Sequence, residues 1–360
     1  MTAAVAGIGA WYPERVRKND EWPPDFAASA HVSGDRLFND IPPSLDEALR
    51  ITDRYLAAEG LDPFLGAKER RVADDATSSV DAEVFAARRA LEDAGVPPSA
   101  VDVVISYSVV PDRVTPASAC AVANRLGVPG ALAFSMDAAC ATALIQIQSA
   151  KALIESGQAR TVLLTQSHLL LRAFPMLHPA APGLGDAATA LVITSGGRFP
   201  ILAALGRTHG EFYPAVTWVR GSAPEDDTPW WLAGGPLRVG SRDREQAKAL
   251  QRDTVAYGVR TLQEIAREAR VDLERVDVLA SVQPRGWVPS AMAELLGLDP
   301  GVVPSVYETR GHLGACGPIA NLEHWYRSQR SGGARVGALY AQGAGFTRAA
   351  VLLALDGQAF

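Results

Sequence analysis

Lysine is almost missing from this chain: Lys18, Lys68, Lys151 and Lys248 are the only four among 34 basic residues. Basic runs are missing too, apart from "KERR" at 68–71, and the net charge is -6. Nucleic acids and anionic membranes are met by clustered cations, so this balance excludes them as principal partners. No stretch of eighteen apolar residues is present to span a bilayer. The apolar start "MTAAVAGIGA" lacks the cationic segment of a secretory signal, and the expected location is the cytoplasm. Cysteine is scarce. Cys120, Cys140 and Cys316 cannot all pair within one chain, and a reducing compartment keeps them as thiols.

What is present describes a globular protein. Hydrophobic residues make up 48% of 360 residues and charged residues 21%, enough for two core-bearing units. The sequence also repeats itself. "ALEDAGVPPSAVDVVIS" (90–106) matches "IAREARVDLERVDVLAS" (265–281), which places Asp102 and Asp277 at an offset of 175 residues (277 − 102). "GQARTVLL" (157–164) matches "GGARVGAL" (332–339) in the same register, and "AACATAL" (138–144) resembles "GACGPIANL" (314–322). Short apolar runs such as "TVLLT" (161–165) and "TALVIT" (189–194) read as central strands covered on both faces. In the 140–155 segment Ala143, Leu144, Ile147, Leu153 and Ile154 spread around most of the helix rather than along one stripe, which predicts burial on both sides. Two α/β halves sharing a layered core follow, divided as 1–197 and 198–360.

Insertions interrupt the duplicate at 14–66, 166–184 and 210–243. "HLLLRAF" (168–174) reads as a dimer contact, with a helix closing its own core as the alternative. Phe212, Tyr213, Trp218, Trp230 and Trp231 either roof an acceptor pocket or fill the core.

Cys140 follows "SMDAA" where the helix should begin. There the free N–H groups and helix dipole lower a thiol pKa and favour a thiolate. The repeat sets "RGHLGACG" (310–317) opposite this cysteine, so His312, flanked by Gly311 and Gly314, is expected to face the thiol as its base. Glu308 is a candidate to orient His312. Cys316 reads as structural, and His31, His168, His178, His209 and His324 as surface or packing histidines.

"ERRVA" (69–73), "DAACATAL" (137–144), "GLGDAATALVI" (183–193) and "YAQGAGFTRAAVLL" (340–353) resemble, in order and spacing, the ketoacyl synthase III branch of the thiolase superfamily. The resemblance implies a duplicated five-layered αβαβα fold and a cysteine, here Cys140, that takes an acyl group from a coenzyme A or acyl-carrier-protein thioester. It implies an oxyanion hole formed by the amides of Cys140 and of the turn Gly343–Ala344–Gly345, with Ala344 as the second donor. No metal and no permanently bound cofactor are expected. Arg70 and Arg71 of "KERR" are candidates for coenzyme A phosphates or an acidic carrier protein, and a homodimer is the expected assembly.

Two departures from the family pattern bear on mechanism. Condensing members carry a histidine where "SVQPR" (281–285) has Val282, and an asparagine where this chain has His312. "GHLGACG" resembles instead the thiolase segment whose histidine activates the cysteine, yet the second thiolase cysteine is replaced by Ala341. Acyl transfer asks for one nucleophile, one base and an oxyanion hole. The sequence therefore predicts an acyltransferase acting through acyl-Cys140 on a hydroxyl, amine or carrier-protein acceptor, of the kind found in antibiotic and polyketide pathways. A carbon–carbon bond-forming synthase and an inactive scaffold subunit are the alternatives.

Overall fold

Strand β1 (Ala3–Trp11) is buried over nearly its whole length because it runs through the middle of the main sheet. A computed structural model describes residues 2–26, 46–128, 130–220, 232, 234–235, 237–328 and 335–356. The first half continues through β2 (Val16–Lys18), α1 (Glu47–Glu59), β3 (Glu69–Arg71), α2 (Ser79–Ala94), β4 (Val103–Ser108), α3 (Ser118–Leu126), β5 (Leu132–Ser135), α4 (Thr142–Glu155), β6 (Thr161–His168) and β7 (Ala187–Ser195). The second comprises β8 (Phe199–Thr208), β9 (Thr217–Arg220), β10 (Leu237–Gly240), α5 (Arg244–Arg252), α6 (Thr254–Ala269), β11 (Val276–Ser281), α7 (Val288–Leu295), α8 (Gly317–Arg327), β12 (Val336–Gly343) and β13 (Thr347–Ala354).

Both halves wind the same way. β1 lies antiparallel to β7, β7 antiparallel to β6, and β6 parallel to β4; β8, β13, β12 and β11 repeat those relations in that order. The matched aspartates do matching work. One carboxylate oxygen of Asp102 accepts from the amides of Arg160 and Thr161, and one of Asp277 from Arg335 and Val336. Each bond pair fixes the entry to the strand that follows.

Ala4 and Val5 of β1 pair with Pro200 and Phe199 of β8, so the two sheets fuse into one of order β11-β12-β13-β8-β1-β7-β6-β4-β5. Helices α4 and α8 form the central layer. Leu144, Ile147, Ile319 and Leu322 pack there with Val162 and Ile193 of one half and Leu339 and Val351 of the other. α2 and α3 cover the outer face of the first half, and α1, α6 and α7 that of the second. The layers are therefore αβαβα.

Local sequence sets the helix ends. Ser78 caps α2 in a reciprocal box with Asp81, and Gly95 closes it in the left-handed conformation. Among the described residues no helix is long and apolar enough to cross a membrane.

Three expectations need correction. Leu169, Leu170 and Leu171 do not form a free dimer face; they are buried, the latter two against Val72, Leu184 and Trp218 of the same chain. Arg70 is fully buried, not offered to phosphates. Its guanidinium donates to the carbonyls of Pro182, Arg17 and Ala67 and to the side chain of Asn19, and lies 4.6 Å over Trp22. Pairing of β2 with β3 turns the middle residue of "ERR" inward. Arg71 donates to the carbonyls of Pro13 and Glu14 and likewise ties the insertion to the sheet. The third concerns Glu308, which is exposed and paired with Lys68, turned away from a role in orienting His312.

Candidate active site

Cys140 sits in a single 3₁₀ turn, Ala139–Ala141, that leads into α4. The preceding Ala139 has φ of +50°, a left-handed conformation that costs a non-glycine residue free energy and here turns the chain sharply at the cysteine. Thr142 locks that turn: its hydroxyl accepts from the Ala138 amide at 2.8 Å and donates to the Ala139 carbonyl. The second half repeats the device, with the turn Gly314–Cys316 leading into α8.

His312 lies just before that second turn, and its Nε2 is 3.8 Å from Cys140 Sγ. Its backbone is clamped on both sides. The His312 amide donates to the Gly183 carbonyl at 2.7 Å, and the Gly185 amide donates to the His312 carbonyl at 3.1 Å. The segment "GLGD" thus holds the histidine against the cysteine.

Burial governs the protonation states. It pushes the Cys140 thiol up to about 11, Asp137 adding to the rise and the residue's own amide opposing it. Burial pushes His312 down to about 3, helped by neighbouring His168 and opposed by the Gln283 backbone. Burial thus favours the neutral form of both groups, against the pull of the helix terminus toward the thiolate that the sequence suggested. The arrangement sets a thiol beside an imidazole nitrogen.

At the proposed oxyanion turn, Gly343 ends β12 so close to the cysteine turn that a Cβ there would stand 2.2 Å from the Ala138 carbonyl and 3.0 Å from the Cys140 nitrogen. Only a glycine lets the backbones approach this far. Ala344 follows at the surface. Behind the turn, Phe346 packs with Phe212 and Tyr257. Of the aromatics expected to roof a pocket, Phe212 therefore fills the core, Tyr213 is exposed, and Trp218 packs with Leu184 beside the His312 clamp. Trp230 and Trp231 lie outside the described residues.

Val282, where condensing relatives were expected to carry histidine, is 1% exposed and packs in the apolar core. Its neighbour Gln283 is committed elsewhere, to Ser305, Gly286 and Asn321. Cys316 is buried, with its thiol toward the carbonyls of Gln166 and Ala187. That fits a structural role. Among the described residues no cluster of three His, Cys, Asp or Glu could hold a metal.

Sequence reasoning missed His168. It closes β6, is 2% exposed, and meets His312 edge-on with ring centres 5.6 Å apart. The available signal was its place at the carboxyl end of a central strand, where open α/β sheets gather functional groups.

The 3-oxoacyl-[acyl-carrier-protein] synthase III family matches residues 134–210, and its C-terminal family matches 266–355. This chain is a ketoacyl-synthase-III-like member of the thiolase superfamily. A β-ketoacyl-[acyl-carrier-protein] synthase III of Bordetella petrii is 27% identical over 351 residues, covering 97% of each chain. The solved 3-oxoacyl-[acyl-carrier-protein] synthase III of Aquifex aeolicus shares the fold with a TM-score of 0.75 at 23% identity, over 98% of this chain and 99% of that one. The priming β-ketosynthase of the R1128 polyketide pathway also gives 0.75, at 21% identity over 99% and 97%. Within this ketoacyl-synthase-III-like fold, Cys140 and His312 stand at the heads of the two halves' turns before the central helices.

Proposed function

We propose that this protein is an acyltransferase. Cys140 takes an acyl group from a coenzyme A or phosphopantetheine thioester and passes it to a hydroxyl, amine or carrier-protein acceptor. The observation that carries the reading is that His312 Nε2 faces Cys140 Sγ while the position of the expected condensing histidine is the buried Val282. Decarboxylative condensation asks for two polar groups on the malonyl carbonyl as the enolate forms. A buried valine supplies none.

In the first half-reaction Cys140 Sγ attacks the thioester carbonyl and His312 Nε2 takes the thiol proton. The amides of Cys140 and Ala344 receive the oxyanion; collapse breaks the carbon–sulfur bond to the donor thiolate, which recovers the proton from His312. In the second, neutral His312 removes the acceptor's proton as it attacks acyl-Cys140, then returns that proton to the Cys140 sulfur. The kinetics are ping-pong. Burial keeps His312 unprotonated at neutral pH and so free to accept a proton, although it also weakens the base, which would work best with a pKa near the working pH.

A cavity of about 320 Å³, lined by Tyr55, Glu59, Leu65, Trp287, Tyr307 and Glu308 among others, lies on the far side of Tyr307 and includes neither Cys140 nor His312. The edge of β5, where Leu132 is 60% exposed, is the surface a second copy of this chain would cover.

The second reading, a condensing synthase, is favoured by the names of the relatives, which are ketoacyl synthases. Intact-protein mass spectrometry with a panel of acyl thioesters, wild type beside Cys140→Ala, tests the proposal. An adduct on the wild type alone, discharged by an added acceptor, supports it. Discharge only through a malonyl thioester would move the protein to the condensing class.

A further inference from the structure

His168 has no part in the acyl-transfer cycle above, yet it is the buried side chain whose ring meets that of His312. Its Nδ1 lies 2.9 Å from the Gly185 carbonyl. A carbonyl can only accept, so Nδ1 carries the hydrogen and Nε2 keeps the lone pair. The same Gly185 donates its amide to the His312 carbonyl, and two residues earlier Gly183 accepts from the His312 amide. Gly185 is therefore held by both histidines. Space confirms the fit: Gly314 has φ of +52°, and a Cβ on it would stand 2.2 Å from His168 Cδ2 and 2.7 Å from Nε2. The glycine of "GHLGACG" makes room for the His168 ring.

We infer that His168 is a positioning residue: as the neutral Nδ1–H tautomer it pins Gly185, and through Gly185 and edge-on ring contact it holds His312 Nε2 on Cys140. The inference rests on the reading of Cys140 and His312 as the catalytic pair. Burial keeps His168 uncharged, with a pKa of about 4, so it adds no positive charge at neutral pH. Cys140 faces His312, and Cys316, Tyr107 and Glu83 act electrostatically on the two thiols rather than on the rings. Apart from burial, His168 is the titratable group that perturbs His312 appreciably.

Two variants separate the contact from mere packing. Asparagine at 168 can place its amide N–H where Nδ1 stands, whereas leucine fills similar volume without a donor. In a Cys120→Ala background, which removes the exposed thiol of α3, alkylation of Cys140 by iodoacetamide reports the pair without any acyl donor. His168→Leu should slow it by up to about 100-fold, the effect of misplacing a group by about 1 Å, and His168→Asn should stay near the wild-type rate. Two-bond ¹H–¹⁵N spectra of histidine-labelled protein should show His168 as the Nδ1–H tautomer. In His168→Asn, His312 should begin to protonate at a higher pH than in the wild type. If His168→Leu fails to fold, the spectra decide alone. An Nε2–H or charged His168 at neutral pH overturns the inference, as does wild-type alkylation in a folded Leu variant. Because neither readout needs a thioester, failure of the acyltransferase proposal would appear separately, as an unacylated Cys140 in a protein with the predicted tautomer.

Discussion

Cys140 Sγ and His312 Nε2 come within 3.8 Å of each other although each belongs to a different half of the duplicated chain. Two equivalent turns, each at the head of a central helix, bring them together, so the pair is a product of the pseudo-symmetry rather than of any local motif. In the proposed reaction, a nucleophile and a base held this close need only a small adjustment before attack.

Replacing the nucleophile is the simplest consequence. Cys140→Ala should give no covalent adduct with any acyl thioester while melting near the wild-type temperature, since it removes a single sulfur at the margin of the central core whose polar contact is the 3.8 Å approach to His312. Intact mass and a thermal melt check both parts.

Loss of the base should slow rather than abolish the reaction. His312→Ala should lower the rate of Cys140 acylation about 10²–10⁴-fold, the usual contribution of a positioned general base. Single-turnover acylation followed by mass spectrometry measures it.

The pH profile should lack a thiolate plateau near neutrality. Because burial lifts the thiol to about 11 and depresses His312 to about 3, alkylation of Cys140 should keep rising through pH 9. A thiolate–imidazolium pair would instead level off below pH 7. Iodoacetamide rates from pH 5 to 10 distinguish the two.

Gly314→Ala should damage both fold and rate. Its positive φ and the 2.2 Å approach to His168 leave no place for a methyl group, at a cost of about 1–3 kcal/mol. Chemical denaturation together with the alkylation assay tests whether stability and reactivity fall together.

Glu83 supplies a stability signature remote from the thiol. It is fully buried on α2, accepts from the hydroxyls of Thr165 and Ser167, and is lifted by burial from 4.5 to about 8. A carboxyl whose folded pKa lies above its unfolded one stabilises the fold fully below about 4.5, and that stability is lost as pH rises through about 8. Glu83→Gln should remove this slope, which is at most about 1.4 kcal/mol per pH unit. Urea unfolding at several pH values reads it.

Much of this architecture is legible in the sequence. The repeat around Asp102 and Asp277 is visible because each aspartate has the same two amides to hold, and the all-round apolar pattern of 140–155 is visible because α4 lies between two sheets. Cys140 is marked by its place at a helix start and His312 by the repeat, and the fold brings the two side chains within 3.8 Å. What stayed hidden depends on contacts between distant segments. The charge of "KERR" suggested a surface, but strand pairing drives Arg70 inward onto Trp22. A helix terminus suggested a thiolate, but burial is the larger effect. His168 offered only its place at the carboxyl end of β6, because the contacts behind its proposed role run through Gly185 and Gly314.

The central claim is transfer without carbon–carbon bond formation, and the most direct test is a single turnover of acyl-Cys140 enzyme with a carboxyl-labelled malonyl thioester, beside a parallel reaction with candidate acceptors. The label should stay in the malonyl group with no carbon dioxide released, and the acyl group should leave only when an acceptor hydroxyl, amine or carrier protein is added. Labelled carbon dioxide together with a lengthened keto product would contradict it.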